Sequence, residues 1–96
     1  MFDRILLRFR SRVLSGEYVL SIHALEEMAD DEVLTEDVEH VILNGRIIER
    51  QIDRVTRERK FVFFGEDLAG NPVGLVAKIS LSGKVVVIKV YREDET

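Results

Sequence analysis

The stretch YVLSIHALEEMADDEVLTEDVEHVILNG, residues 18–45, decides the fold of this 96-residue chain. Tyr18, Val19 and Leu20 make a short β-prone run that reads as a first strand. Ser21 suits an N-cap, because its hydroxyl can accept a bond from an unpaired amide of the first helical turn. The following helix is predicted over 22–30, with Leu25, Met28 and Ala29 inward and Glu26 and Glu27 outward. Thr35 is a second cap-like residue, followed by Glu36 and Asp37, whose charges favour a helix N-terminus. Val38, Val41 and Ile42 give that second helix a buried stripe, and Asn44-Gly45 supplies a left-handed stop. The order is strand, helix, helix.

Upstream, Phe2, Ile5, Leu6, Phe9 and Val13 keep a 3.6-residue period that predicts a helix over 3–15, ended at Gly16. Arg4, Arg8 and Arg12 form an i, i+4, i+8 row on another face of it. That row suits a solvated face, one lying against the acidic helices, or a phosphate contact. Downstream the period shifts towards two. Strands are expected over about 46–54, over 60–64, and over 73–81 and 84–91, the last two joined by a two-residue turn at Ser82-Gly83. Residues 65–72 are dense in turn formers, and 92–96 should fray. The expected fold is α+β: an N-terminal helix, a short strand, two helices, and a four-stranded antiparallel sheet that Tyr18–Leu20 joins at one side.

A single domain over 1–96 is the natural reading of this length. With 46% hydrophobic and 33% charged residues, the composition is that of an ordinary soluble globular protein. The chain has no cysteine, hence no disulfide, thiolate nucleophile or cysteine-bound zinc, and the cytoplasm is the default compartment. No apolar run approaches the roughly 18 residues of a membrane span. The net charge of −4 conceals a segregated pattern. Residues 15–45 carry nine acidic side chains and no Lys or Arg, whereas 1–14 and 46–60 are each net +3. Local fields can therefore oppose the sign of the whole, and a basic groove is compatible with an acidic chain.

His23 is the sharpest chemical candidate. In the first turn of a helix its imidazole meets the positive end of the dipole, which disfavours protonation and suits a general base. The structural alternative is a histidine that caps the helix or bonds a neighbouring strand. His40 lies in the second acidic segment without an obvious partner. On the last strand Lys89 and Tyr91 share one face, with Val86, Ile88 and Val90 on the other, core-facing side. A basic residue beside an aromatic on a sheet surface can hold a phosphate and stack a base, and Lys78 on the adjacent strand extends the patch. The alternative is a plain solvent-exposed strand face. No cofactor is implied, and metal-ligand spacing, a phosphate-binding glycine loop and a nucleophile elbow are all lacking.

Ser21-x-His23-Ala24, then Glu27-Met28, then Thr35-Glu36-Asp37-Val38, followed by GEDLAGNPVGLVAKI and KVVVIKVYRED, together resemble a small prokaryotic family known as a domain of unknown function. The likeness covers about 18–94, leaving 1–16 as an added N-terminal helix. That family is similar in layout to the RelE, ParE and BrnT toxins. The resemblance implies a RelE-like fold and a metal-independent endoribonuclease or RNA-binding protein of the cytoplasm, acting on RNA or the ribosome and held by an antitoxin. Carried over by position, His23 is the acid/base candidate with Lys89 and Tyr91 in support. The binding residues expected beside them are Ser21, Lys78, Arg46 and Arg50. The sequence departs from the family pattern at Glu27, where arginine is usual, and at Asp30-Asp31-Glu32. Carboxylates beside the site work against a polyanion. A second expectation is therefore a non-catalytic, homo-oligomeric interaction module, in which the arginine-rich first helix engages the acidic helices of a neighbour.

Overall fold

The computed structural model describes residues 1–92: Arg92, expected to fray, instead ends the last strand, and the rest of that expected tail and the last two residues of the resemblance lie outside the described residues. Its elements are α1 (Asp3–Leu14), β1 (Tyr18–Leu20), α2 (Ile22–Asp31), α3 (Thr35–Asn44), β2 (Arg46–Ile52), β3 (Arg59–Glu66), β4 (Pro72–Ile79) and β5 (Val85–Arg92). The sheet has five strands in the order β1-β5-β4-β3-β2. The expected four antiparallel strands are present, but β1 runs parallel to β5, so the sheet is mixed and not purely antiparallel. Among the described residues no helix is long and apolar enough to cross a membrane.

All three helices contribute to one core with the inner face of the sheet. Phe9 and Val13 of α1, Ala24 and Met28 of α2, and Val38, Val41 and Ile42 of α3 join Phe63, Leu75, Ala77, Val85, Val87 and Val90. The Phe9 ring meets Phe61 and Phe63 edge-on, with centroids 5.6 and 4.9 Å apart, a favoured aromatic geometry. α3 keeps its predicted stripe. Its N-terminus differs: Leu34, not Thr35, is the cap residue, and the Asp37 carboxylate accepts the Leu34 N–H at 2.9 Å. The other Asp37 oxygen accepts from Leu68 N, tying the β3–β4 loop to the helix. Tyr18 donates to Glu39 across from β1 to α3. Partial burial, that bond and the charges of Glu39 and Glu36 push the phenol up to about 12, so it remains a donor at neutral pH.

α2 turns a different face inward from the one its periodicity suggested. Leu25 and Ala29 are exposed, and the inward positions are Ala24, Met28 and the half-buried Glu27. The cause is the short β1, which pairs only with residues 85–87 of β5. Beyond that point α2 lies along the β5 edge, and its polar groups complete the ladder.

Neither α2 nor α3 has a basic residue in its last turn, yet both C-termini receive a guanidinium from far along the chain. Arg10 donates to Ile42 O and Gly45 O at the end of α3. Arg92 donates to Asp31 O and Glu32 O at the end of α2. A cation there satisfies orphan carbonyls and meets the negative end of the helix dipole. The segregated charge of the sequence is partly explained by these two contacts, and it is Arg10, not the Arg4-Arg8-Arg12 row, that reaches an acidic helix.

The strand boundaries also differ from expectation at the turns. β2 stops at Ile52 because Asp53 begins a turn, its carboxylate accepting the N–H groups of Val55 and Thr56. The β4–β5 turn has three residues, Leu81 to Gly83, with Gly83 left-handed at φ 90° and Ser80 N–H bonded to Lys84 O. Finally, β5 carries a bulge opposite Val76 and Ala77. Val85 and Val87 face the core before it and Val90 after it, so the predicted core set Val86, Ile88 and Val90 holds only at Val90.

Candidate nucleic-acid interface

The sheet face turned away from the helices is organised by cross-strand register. One row runs Arg46, Phe64, Gly74, Tyr91, and the next runs Glu49, Val62, Val76, Lys89. Beyond them Lys60 stands opposite Gln51, and Lys78 opposite Val86. None of these residues joins the core cluster under the helices. Arg46 sits 5.8 Å from the centroid of Phe64, and Lys89 sits 5.9 Å from that of Tyr91. Such cation–ring pairs stabilise by about 0.5–1 kcal/mol at exposed sites, enough to bias where each cation stands. Lys78 is committed to Glu58 at 2.7 Å. Gly74 makes room for the tyrosine: a Cβ there would lie 2.3 Å from Tyr91 Cζ. The ring therefore lies across the β4 backbone.

Sequence reasoning placed Lys89, Tyr91 and Lys78 on one face, and the register brings Arg46 to that face as well. Arg50 goes to the opposite side, paired with inward-facing Phe61. Phe64 and Gly74 were not singled out. The alternation from Lys60 through Val62 to Phe64 was the available signal for the first.

His23 and Ser21 belong to the β5 edge. Ser21 is the expected N-cap, accepting from Ala24 N, and its hydroxyl donates to Ile88 O, both at 3.0 Å. Ser21→Ala removes the cap and leaves an edge carbonyl without that donor. A loss of about 1–2 kcal/mol is expected, read by urea unfolding; a change under a few tenths would show that water replaces both bonds.

Glu27 accepts the Val90 N–H at 2.9 Å with one oxygen, and its other oxygen lies 3.4 Å from His23 Nε2. An arginine at this position would have no acceptor for that amide, so Glu27 has a structural role at the β5 edge. The His23 side chain is 66% exposed. At 3.4 Å the contact is longer than an ordinary hydrogen bond and suits a weak surface pair. One carboxylate thus joins the imidazole to the backbone between Lys89 and Tyr91. His40 bonds Glu66 O through Nδ1 at 2.8 Å, a role inside the fold. Among the described residues no three His, Asp or Glu side chains are grouped to hold a metal ion.

Comparison with curated proteins and with solved structures gives no match. The model of the family described as Domain of unknown function (DUF4258) matches residues 20–92, about three-quarters of the sequence, and the chain belongs to that family.

Proposed function

We propose that the open sheet face binds single-stranded RNA. The observation that carries this reading is the pair of aromatic rings, Phe64 and Tyr91, each with a cation beside it on a face that no helix covers. Bases stack on such rings irrespective of sequence, and Arg46, Lys60 and Lys89 supply the charge that meets phosphates. A duplex offers no unstacked base to this surface. The layout of helices on one side of a small, largely antiparallel sheet supports a RelE-like arrangement, in which the open side meets RNA and an antitoxin would mask it.

The test is fluorescence anisotropy with a labelled single-stranded RNA, beside the same strand annealed into a duplex. Tyr91→Ala is expected to weaken single-strand binding roughly 5- to 150-fold, the equivalent of about 1–3 kcal/mol for one stacked base. Lys89→Ala should flatten the salt dependence. Absence of binding at low salt, or equal affinity for the duplex, would sink the reading.

A second reading, an endoribonuclease of the toxin type, is favoured by the His23–Glu27 pair, because a carboxylate fixed by Val90 N–H lies 3.4 Å from the imidazole. His23 would take the 2′-hydroxyl proton as the 2′-oxygen attacks phosphorus, and then return it to the departing 5′-oxygen. Cleavage of total RNA or of RNA on translating ribosomes, lost in His23→Ala, is its expected result. Binding without cleavage leaves the first reading alone.

A further inference from the structure

At one end of the sheet, a groove of about 1470 Å³ lies between the first turns of α1, the β2–β3 tip and the β4–β5 turn. Phe2, Ile5, Phe61 and Ile79 give it apolar lining. Arg4 and Arg8 stand on one wall and Arg50, Arg57 and Arg59 on the other. Among the described residues none of these five arginines has a carboxylate within ion-pair distance. Lys78 and Glu58, also on the lining, neutralise each other. Asp3 is the one acid left to offset five cations, so the groove is strongly positive on a chain whose net charge is −4.

The same chain carries the complementary relief. Because α2 turns Ala24, Glu27 and Met28 inward, it presents Ile22, Leu25, Glu26, Ala29 and Asp30 to solvent. Ile22 is 77% and Leu25 47% exposed. An apolar pair one turn apart is thereby flanked by carboxylates, on a segment that contains no cation. The groove has the inverse pattern, an apolar lining flanked by guanidiniums. Contact between them would desolvate apolar surface on both sides and place each carboxylate near an arginine able to bind it in a fork. α2 cannot reach the groove of its own molecule. It is bonded along the β5 edge through Ser21, Glu27 and the Asp31 carbonyl, and no α2 residue lines the groove.

We propose that the arginine groove receives the outer face of α2 from a second copy of the chain. The two surfaces differ, so the association is head-to-tail, and each added copy presents a fresh groove and a fresh helix. The assembly is independent of the RNA reading, since neither Phe64 nor Tyr91 lines this groove.

Sedimentation velocity of the full chain at increasing concentration provides the test, at about 50 mM and about 500 mM salt, where screening falls from long to short range. The mass should rise above monomer with concentration at low salt and return to monomer at high salt. Arg4→Glu with Arg8→Glu destroys the groove and keeps the helix face; Glu26→Gln with Asp30→Asn does the reverse without creating a cationic helix that the altered groove could bind. Each exposed pair should give a monomer alone, with the native melting profile. Mixed equimolarly they retain one functional interface between them, and should form a 1:1 heterodimer and nothing larger. Three results would overturn the proposal: a wild type that stays monomeric at low salt, an oligomer that persists in either variant, or a mixture that does not associate. Loss of RNA affinity in Arg4→Glu, Arg8→Glu with a monomeric wild type would instead assign the groove to nucleic acid.

Discussion

Gly45→Ala is expected to destabilise the protein by about 3 kcal/mol, at the upper end of what overpacking usually costs. The reason is proximity, not backbone conformation. Gly45 has φ −84° and ψ −157°, extended values that any residue adopts. A Cβ there would lie 2.5 Å from Val41 O, 2.6 Å from Phe64 O and 3.2 Å from Gly65 Cα. All three are backbone atoms, so no side chain can rotate away. Gly65 has the reciprocal constraint, since its own Cβ would meet Gly45 Cα at 3.1 Å. The end of α3 and the end of β3 therefore touch main chain to main chain through two glycines. Relief requires α3 to move off the sheet, which loosens Val41 and Ile42 in the core and strains the Arg10 bonds to Ile42 O and Gly45 O. Urea unfolding at neutral pH measures the effect, with Gly65→Ala as the companion. A loss under about 1 kcal/mol would mean the two elements separate at little cost, contrary to native packing density.

Gly45 also shows where the sequence is legible and where it is not. Asn44-Gly45 has the composition of a left-handed helix stop, and the helix does end there. The need for glycine comes from Phe64 and Gly65, some twenty positions on, and local composition carries no trace of that contact. Val38, Val41 and Ile42, like Phe9 and Val13, were readable because an uninterrupted stripe on a helix has one way to face a core. Strand faces were readable up to the bulges. The period of two assigned Lys89, Tyr91 and Lys78 to one face, then misassigned Val86 and Ile88, because the extra residue in β5 has no compositional mark. Glu27 was unreadable for a related reason. Its inward turn follows from β1 stopping at Leu20 and leaving the Val90 amide for a side chain to satisfy. The groove draws on three separate segments, so the charge blocks hinted at it without locating it.

Arg92→Met should cost about 2–3 kcal/mol at neutral pH, and the penalty should shrink in acid. The guanidinium reaches Asp67 Oδ2 at 2.8 Å, Asp31 O at 3.0 Å and Glu32 O at 3.3 Å. Asp67 is only 4% exposed. Removing the cation leaves a buried carboxylate without its countercharge, a change that typically costs about 3–5 kcal/mol in a fully buried pair. Arg92 is itself partly exposed, and Asp67 keeps the N–H groups of Ala69 and Asn71, which places the expectation below that range. Asp67 is held below the usual carboxylate range, chiefly by the Asn71 N–H and then by Arg92 and the Ala69 N–H, against the opposing effect of burial. A depressed folded pKa stabilises the fold above the unfolded value of about 3.9, and that contribution is lost as pH falls through the folded value. The wild type should therefore lose this part of its stability below about pH 4. The variant loses less, because its carboxylate is less strongly favoured in the ionised form. The gap between the unfolding curves of the two proteins should be smaller at pH 3 than at pH 7, with the part due to the Asp31 and Glu32 carbonyls remaining. A penalty of equal size at the two pH values would assign Arg92's contribution to the carbonyls that end α2, with the ion pair contributing nothing measurable.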